Sequence, residues 1–451
     1  MMQLSKSDYM LFLKHPAWLW VKKNNPSKLP PVDDNTQAMF DAGHAFEPYA
    51  ESLFPEGVSL GFSDYDEYRM LPERTLKAIE SGAHVLFQPR FNWGDYTCIC
   101  DIVKFVGEGV VDLYEIKAST SAKTEHEFDL AFQAAVIEGC GYKVRNIFVI
   151  HVNNQYVRSG DIEADKITMI TDVTEKVRAR GEATQKYMPM AAIVAEQPTM
   201  PDPDPSLAKL GSKKDWLKVY ENIAPQAPKV WPPDTAPTIN REAIMQFLDG
   251  LQYPLYFLDY ETLMSLVPYF DGLRPYQQVP FQYSLHLLQT PDASVEHKEY
   301  LHQENSNPSR PLTEQLLSDI GEDGTVLVWY EGFEKSRNSE LGDMIPEYKN
   351  AMESLNGRVI DLMTPFKEKW YDDPRFEGSA SIKKVLPVLC PELSYKTLGI
   401  QEGASAQRLW MEAVIDGTRD GEKQQILKDL LEYCKLDTFA MVEIFNKLRK
   451  I

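Results

Sequence analysis

The chain is poor in cysteine and in positive charge, and it has no apolar run long enough to cross a bilayer. Its five cysteines, Cys98, Cys100, Cys140, Cys390 and Cys434, are odd in number and irregularly spaced. That pattern excludes a disulfide framework and fits a reducing compartment. The N-terminal Met-Met-Gln-Leu-Ser-Lys lacks a signal-peptide pattern, so a cytoplasmic location with no membrane association is expected. Lysine and arginine total 47 against 67 aspartates and glutamates, a formal net charge of −20. This counts against a broad basic surface for nucleic acid, although a narrow basic groove can coexist with an acidic exterior. A carboxylate-rich site that binds cations is not excluded, because bound cations invert the local potential.

What is present is enough apolar material for sizeable cores, at 43% of 451 residues. The length suits two or three domains of about 100–200 residues each. Nine prolines cluster between residues 196 and 238 (Pro198, Pro201, Pro203, Pro205, Pro225, Pro228, Pro232, Pro233, Pro237). This density disfavours regular structure and reads as a linker, with a short helix from Lys213 to Val219 inside it. It divides the chain into residues 1–195 and 239–451.

In the first half the pattern predicts helices over 5–23 and 36–53. Strands are predicted over 84–92, 97–106 and 110–117, then a helix over 125–138 and a strand over 146–152. The turn Val106-Gly107-Glu108-Gly109 reads as a hairpin. In the second half a helix over 241–251 precedes strands over 255–259, 281–288 and 296–301. After a further helix come a strand over 325–329, a helix over 334–355, a strand over 358–361 and a final helix over 423–450. Both halves are expected to be mixed α/β.

Two groups of residues carry chemistry. In the first, Asp101 follows Cys98-Ile-Cys, and Glu115 and Lys117 stand at i and i+2 on the next strand. Asp101 and Glu115 would share a face and bind one metal, and Lys117 would point the same way and stabilise developing charge. The alternative is a solvated strand face with an ordinary ion pair. With the opening Leu-Ser-Lys-Ser-Asp-Tyr, the stretch Gly43 to Glu47, and Gln133 on the following helix, these residues resemble the PD-(D/E)xK nuclease superfamily, in particular RecB-like nucleases and CRISPR-associated relatives. The resemblance covers residues 1–155 and implies a restriction-endonuclease-like fold with Glu47, Asp101 and Glu115 at the metal and Lys117 and Gln133 completing the site. Many relatives have Cys-Pro near the first helix and a later cysteine cluster that hold an iron–sulfur centre. Here the first position is His15-Pro16 and residues 190–235 contain no cysteine, so no such cluster is expected. Ile137 stands where relatives often carry tyrosine. His15 and His44 are expected in packing or surface roles.

In the second group, Asp259 and Glu261 close an apolar run, and Tyr433 and Asp437 lie four apart on the final helix. Residues i and i+2 of a strand share a side, and i and i+4 of a helix share a face. Three carboxylates could thus meet around a divalent ion, and oxygen-only ligands suit Mg²⁺ or Mn²⁺. The alternative is a set of solvated strand-end residues beside a core tyrosine. The two pieces match the DEDD exonucleases of the DnaQ-like branch of the RNase H-like fold, in the variant with a tyrosine. That resemblance implies that Asp259, Glu261 and Asp437 hold two metals and that Tyr433 positions the attacking water. For the fourth acid there are two candidates, Glu334 after Phe333 and Asp361 at a strand end. Residues 239–451, through the segments 274–286 and 378–387, resemble a bacterial family with a DnaQ-like domain behind a RecB-like one. Arg274, Lys383 and Lys384 are candidates for phosphate contact or for plain surface.

These features lead to the expectation of a cytoplasmic metal-dependent nuclease, a hydrolase acting on DNA in repair or in defence against foreign DNA. The alternatives are an RNA 3′–5′ exonuclease, and a nucleic-acid-binding scaffold with an inactive first domain.

Overall fold

The computed structural model describes residues 3–225, 231–232 and 235–451. The chain is α/β and divides into two compact units. One comprises Met1–Pro228 with Leu266–Pro275, and the other Lys229–Ser265 with Tyr276–Ile451.

The first unit is built on a six-stranded mixed sheet. Its order is Val58–Ser59, Val85–Phe87, Ile102–Gly107, Val110–Lys117, Lys143–Val152, Thr168–Asp172. The expected hairpin is there: Ile102–Gly107 pairs antiparallel with Val110–Lys117, and Gly109 takes the left-handed conformation in the turn (φ +65°). Val110–Lys117 then pairs in parallel with Lys143–Val152, the helix Thr124–Gly139 making the crossover. A small sheet of Leu4–Ser5, Tyr96–Ile99 and Arg90–Trp93 stands beside it.

Three expected elements in this unit are each split in two. The first helix breaks at His15, whose extended backbone is what a residue before proline prefers; Lys6–Lys14 ends there and Pro16 begins Pro16–Asn24. The strand over 84–92 breaks at Gln88 (φ +56°) and Pro89, so its halves serve different sheets. The strand over 97–106 breaks at Cys100 and Asp101, so Asp101 sits in a bend and not on a strand. The helix Tyr65–Glu80 and the sixth strand were not anticipated.

The proline-rich segment also differs from expectation as far as residue 225, while Pro228 and Pro233 lie outside the described residues. The helix Lys213–Ile223 buries Trp216 and Val219 against Ala17 and Val21. The Trp216 indole stacks on His15 at 4.2 Å and donates to the Pro203 carbonyl at 3.0 Å. Prolines remove backbone donors but do not prevent an apolar helix between them from packing. This portion is part of the first unit and not a tether.

The second unit has one five-stranded sheet. In chain order the strands are Leu255–Leu263, Val279–Leu288, Glu296–Leu301, Thr325–Val328 and Val359–Asp361, and in space they run third, second, first, fourth, fifth. The first is antiparallel to the second and parallel to the fourth. Strand alternation decides what each face meets. Leu255 and Phe257 pack against Met441 and Phe445 of the final helix, Lys423–Leu448. Tyr256, Leu258 and Tyr260 pack on the other side, with Leu312, Leu341 and Met352. The first strand is longer than its apolar run suggested. Pairing continues past Asp259 (opposite Ser284) and Glu261 (opposite Gln282), so both acids are interior to the strand. The helix expected over 334–355 is two, Glu331–Met344 and Lys349–Gly357, separated at Ile345-Pro346.

Trp216→Ala should cost about 3–5 kcal/mol in denaturant unfolding of the full chain, as for other buried tryptophans. A change below about 0.5 kcal/mol, typical of an exposed position, would return this segment to the status of a linker.

Candidate metal centre

The same alternation that buries Leu255 and Phe257 puts Asp259 and Glu261 on the face turned to the final helix. On that helix Asp437, Met441 and Phe445 form one stripe at four-residue spacing. The apolar halves of strand and helix pack together, with the Phe257 and Phe445 rings 5.6 Å apart. Their polar halves are thereby brought face to face. One oxygen each from Asp259, Glu261 and Asp437 lies within 4.8 Å of the others. Among the described residues this is the one group of three metal-capable side chains.

Burial and the neighbouring Asp437, Glu334 and Glu261 hold the Asp259 carboxyl well above the usual range. Burial and then Asp437 push Glu261 up to about 8, with Lys383 opposing. Burial pushes Asp437 up to about 7 against a hydrogen bond from Tyr395 and the charge of Lys383. Glu334 is buried at the start of Glu331–Met344, pushed up to about 8 by burial and by Asp361, and its Oε2 has no hydrogen-bond partner. Four acids that resist ionisation and an orphaned carboxylate oxygen fit a divalent cation with oxygen ligands.

Asp361 is engaged elsewhere: its Oδ1 accepts from the Tyr330 and Met363 N–H groups, both at 3.0 Å, tying the strand end to the next turns. Tyr433 is buried one turn before Asp437, and burial and then Asp437 raise its phenol above the usual range. Sequence reasoning missed Tyr395, whose hydroxyl donates to Asp437 Oδ1 at 2.6 Å. It opens a single 3-10 turn, Tyr395–Thr397, too short to leave a periodic signal. Lys383 lies over the Tyr395 and Tyr433 rings at 5.6 and 5.9 Å and donates to the Gln401 carbonyl. Lys384 pairs with Glu377.

The first group converges differently. Glu115 is buried and its carboxylate is saturated: Lys117 donates at 2.7 Å and Lys6 at 3.0 Å to Oε1, and Gln133 at 2.8 Å to Oε2. Burial works against its ionisation, but the two lysines prevail and hold the carboxyl well below its usual range. Asp101 accepts from the Ile116 N–H at 2.7 Å, and burial and then Glu115 push it up to about 7. The Lys6 ammonium, 3.0 Å from Glu115 and 3.9 Å from Asp101, is a cation between the two expected metal ligands. Lys117 also reaches Asp129 at 3.1 Å, and Gln133 bonds the same side chain. Lys6 and Asp129 were not singled out from sequence. Lys6 belongs to the Leu-Ser-Lys-Ser motif, and Asp129 lies one helical turn before Gln133. Among the described residues no hydrogen bond or ion pair joins Glu47 to this group; it is half-buried and pairs with His44 at 2.9 Å.

Residues 256–381 match a family model described as a domain of unknown function, DUF2779. The match holds the strand with Asp259 and Glu261, together with Glu334, and stops short of Tyr433 and Asp437. Over 208 residues the chain is 25% identical to a Mycoplasma genitalium protein described as "Uncharacterized protein MG366", covering 42% of this chain and 31% of that protein. Over 232 residues it is 23% identical to "Uncharacterized protein UU173" of Ureaplasma parvum, covering 47% of this chain and 33% of that one. The chain thus spans about a third of the length of these relatives. Among the described residues no helix is long and apolar enough to cross a membrane.

The raised carboxyls set a pH dependence. An acid whose folded pKa exceeds its unfolded value binds more protons when folded, so its contribution to stability falls as pH rises between the two. For Glu261 and Glu334 that window runs from the ordinary value of 4.5 to about 8. The metal-free chain should lose thermal stability from pH 5 to pH 8, and Mn²⁺ should restore more of it at pH 8 than at pH 5. Asp259→Asn should raise the metal-free Tm at pH 8, by about 2–4 °C for each kcal/mol of repulsion removed, and blunt the response to Mn²⁺. Scanning calorimetry at both pH values with EDTA or Mn²⁺ checks this. A flat pH profile with no Mn²⁺ response would contradict it.

Proposed function

We propose that this chain is a metal-dependent nuclease whose second unit is a 3′–5′ exonuclease of the tyrosine-type DEDD class on a DnaQ-like, RNase H-like fold. The observation that carries this reading is the convergence of Asp259, Glu261 and Asp437 from the central strand and the final helix, with Glu334 beside them. The strand order third, second, first, fourth, fifth, with the second strand running against the other four, supports the fold assignment. When bound, a pair of Mg²⁺ or Mn²⁺ ions supplies charge stabilisation to the attacking and leaving oxygens of a phosphodiester. Asp259, Glu261, Glu334 and Asp437 would hold those ions. Tyr395 fixes the orientation of Asp437 through its short hydrogen bond. Burial and the neighbouring Asp437 raise the Tyr433 phenol above its usual range, and its hydroxyl would orient the attacking water or help take its proton. Lys383 lies near the acids, where its charge favours an incoming phosphate.

For the first unit we propose a RecB-like PD-(D/E)xK nuclease. The crossover from Glu-x-Lys through the helix bearing Gln133 to a parallel strand supports it. Lys6 favours a second reading, in which this unit binds nucleic acid without cutting it, because an ammonium already neutralises Glu115. DNA is the expected substrate, with RNA as the alternative.

End-labelled single- and double-stranded DNA and RNA incubated with the full chain and Mn²⁺ test the proposal. Asp259→Ala should abolish 3′ trimming while circular dichroism stays native; full trimming by this variant would remove the site.

Tyr433→Phe should lower kcat about 100-fold, the size expected for a group aligned on the reacting water. Its Mn²⁺ affinity by calorimetry should be unchanged, and an unaltered kcat would make Tyr433 a core residue.

Glu115→Ala and Lys117→Ala should remove a separate activity and leave trimming intact. If trimming is the sole activity of the wild-type chain, the first unit is a binding module.

A further inference from the structure

The strongest feature not used above is a polar cleft of about 540 Å³ in the first unit, between the end of helix Pro16–Asn24, the start of helix Tyr65–Glu80 and the strand pair Arg90–Trp93 and Tyr96–Ile99. Its charged lining residues are Lys22, Lys23, Arg69, Arg90 and Asp8, a local balance of four cations to one anion in a chain of net charge −20. Lys22 and Lys23 share the single carboxylate of Asp8, at 2.8 and 2.6 Å. Arg69 pairs with the exposed Asp66, at 4.0 Å.

Arg90 is the decisive member. It is 7% exposed, and its three side-chain hydrogen bonds go to neutral groups: Thr97 Oγ1, the Tyr68 carbonyl and Gln3 Oε1. Among the described residues no carboxylate pairs with it. A guanidinium held rigidly at a cleft and lacking a counter-charge is costly unless an anion comes to it. Beside it stands an aromatic series. The Arg90 guanidinium lies 4.0 Å from the Tyr68 ring centroid, and Tyr65 stacks on Tyr68 at 6.2 Å with 25° between planes. Tyr65 is 72% exposed, which leaves most of its ring open to a partner. A flat aromatic surface next to clustered cations is the arrangement that takes an unstacked base with its phosphate.

We infer that this cleft binds single-stranded nucleic acid, with a phosphate among Lys22, Arg69 and Arg90 and a base against Tyr65. The shared chemistry is a phosphate bearing an unpaired base, and a strand or a free nucleotide could supply it. A strand is favoured by position, because the cleft wall leads along the chain to the first group: Ser5 precedes Lys6, and Thr97 lies four residues before Asp101. The volume suits one or two nucleotides and not a duplex. This inference rests on the nuclease reading only for the choice of a strand over a nucleotide.

The test is fluorescence anisotropy of the full chain with a labelled 12-nucleotide oligo-dT, a hairpin duplex of equal charge, and competing AMP or inorganic phosphate, all in EDTA. The oligo-dT should bind more tightly than the duplex. Tyr65→Ala should weaken it about 10-fold, as for loss of one stacked base. Arg69→Ala should lower the slope of log affinity against log salt by about 0.7, one phosphate contact on a single strand. Both side chains are exposed, and circular dichroism checks that the variants fold. Absence of oligo-dT binding, wild-type affinity in both variants, or equal binding of duplex would overturn the inference. So would AMP binding that the oligomer cannot displace, which would make the cleft a nucleotide site. Because EDTA removes hydrolysis, Mn²⁺-dependent trimming without strand binding would overturn this inference alone. Strand binding without trimming would overturn the nuclease reading alone.

Discussion

The packing of one strand on one helix sets the chemistry of the second unit. Leu255 and Phe257 meet Met441 and Phe445 in an apolar contact, worth roughly 1.5–3 kcal/mol for each large side chain buried. The same two elements continue into Asp259, Glu261, Tyr433 and Asp437. Strand and helix periodicities leave these residues no other face to occupy. Acids that repel one another are therefore held together by hydrophobic burial a few residues away. That separation lets a site carry strain that its own side chains do not relieve.

The two units solve the same problem in opposite ways. In the first, Glu115 is surrounded by Lys6, Lys117 and Gln133, so it is ionised without outside help. In the second, Asp259, Glu261, Glu334 and Asp437 are buried with each other, and Lys383 and Arg337 moderate them only in part. A carboxylate already paired with an ammonium gains less from a divalent ion than one that has no counter-charge. The metal dependence of the chain should therefore reside chiefly in the second unit.

Much of this was legible in the sequence because it rests on short periods. Asp259 with Glu261 and Tyr433 with Asp437 are i, i+2 and i, i+4 pairs, and the structure brings Asp259, Glu261 and Asp437 together. Glu115, Lys117 and Gln133 also share one cluster. Element boundaries were less legible where backbone chemistry overrides pattern. His15, Gln88 and Ile345 each precede proline and break what reads as a continuous element. Contacts between distant, aperiodic segments were not legible at all. Tyr395 lies 42 residues from Asp437 and Lys6 lies 109 from Glu115. Trp216 reaches His15 from a proline-rich stretch whose composition suggested no packing.

The central claim is that the second unit holds buried acids in a state that a divalent cation relieves. The most direct measurement is calorimetric titration of Mn²⁺ into the metal-free full chain at pH 7, repeated in buffers of differing ionisation enthalpy. With Asp437 near 7 and Glu261 and Glu334 near 8, binding should release protons, and Glu261→Gln should reduce both the affinity and the number released. Mn²⁺ binding without proton release, or no binding above that of Asp259→Asn, would contradict the account.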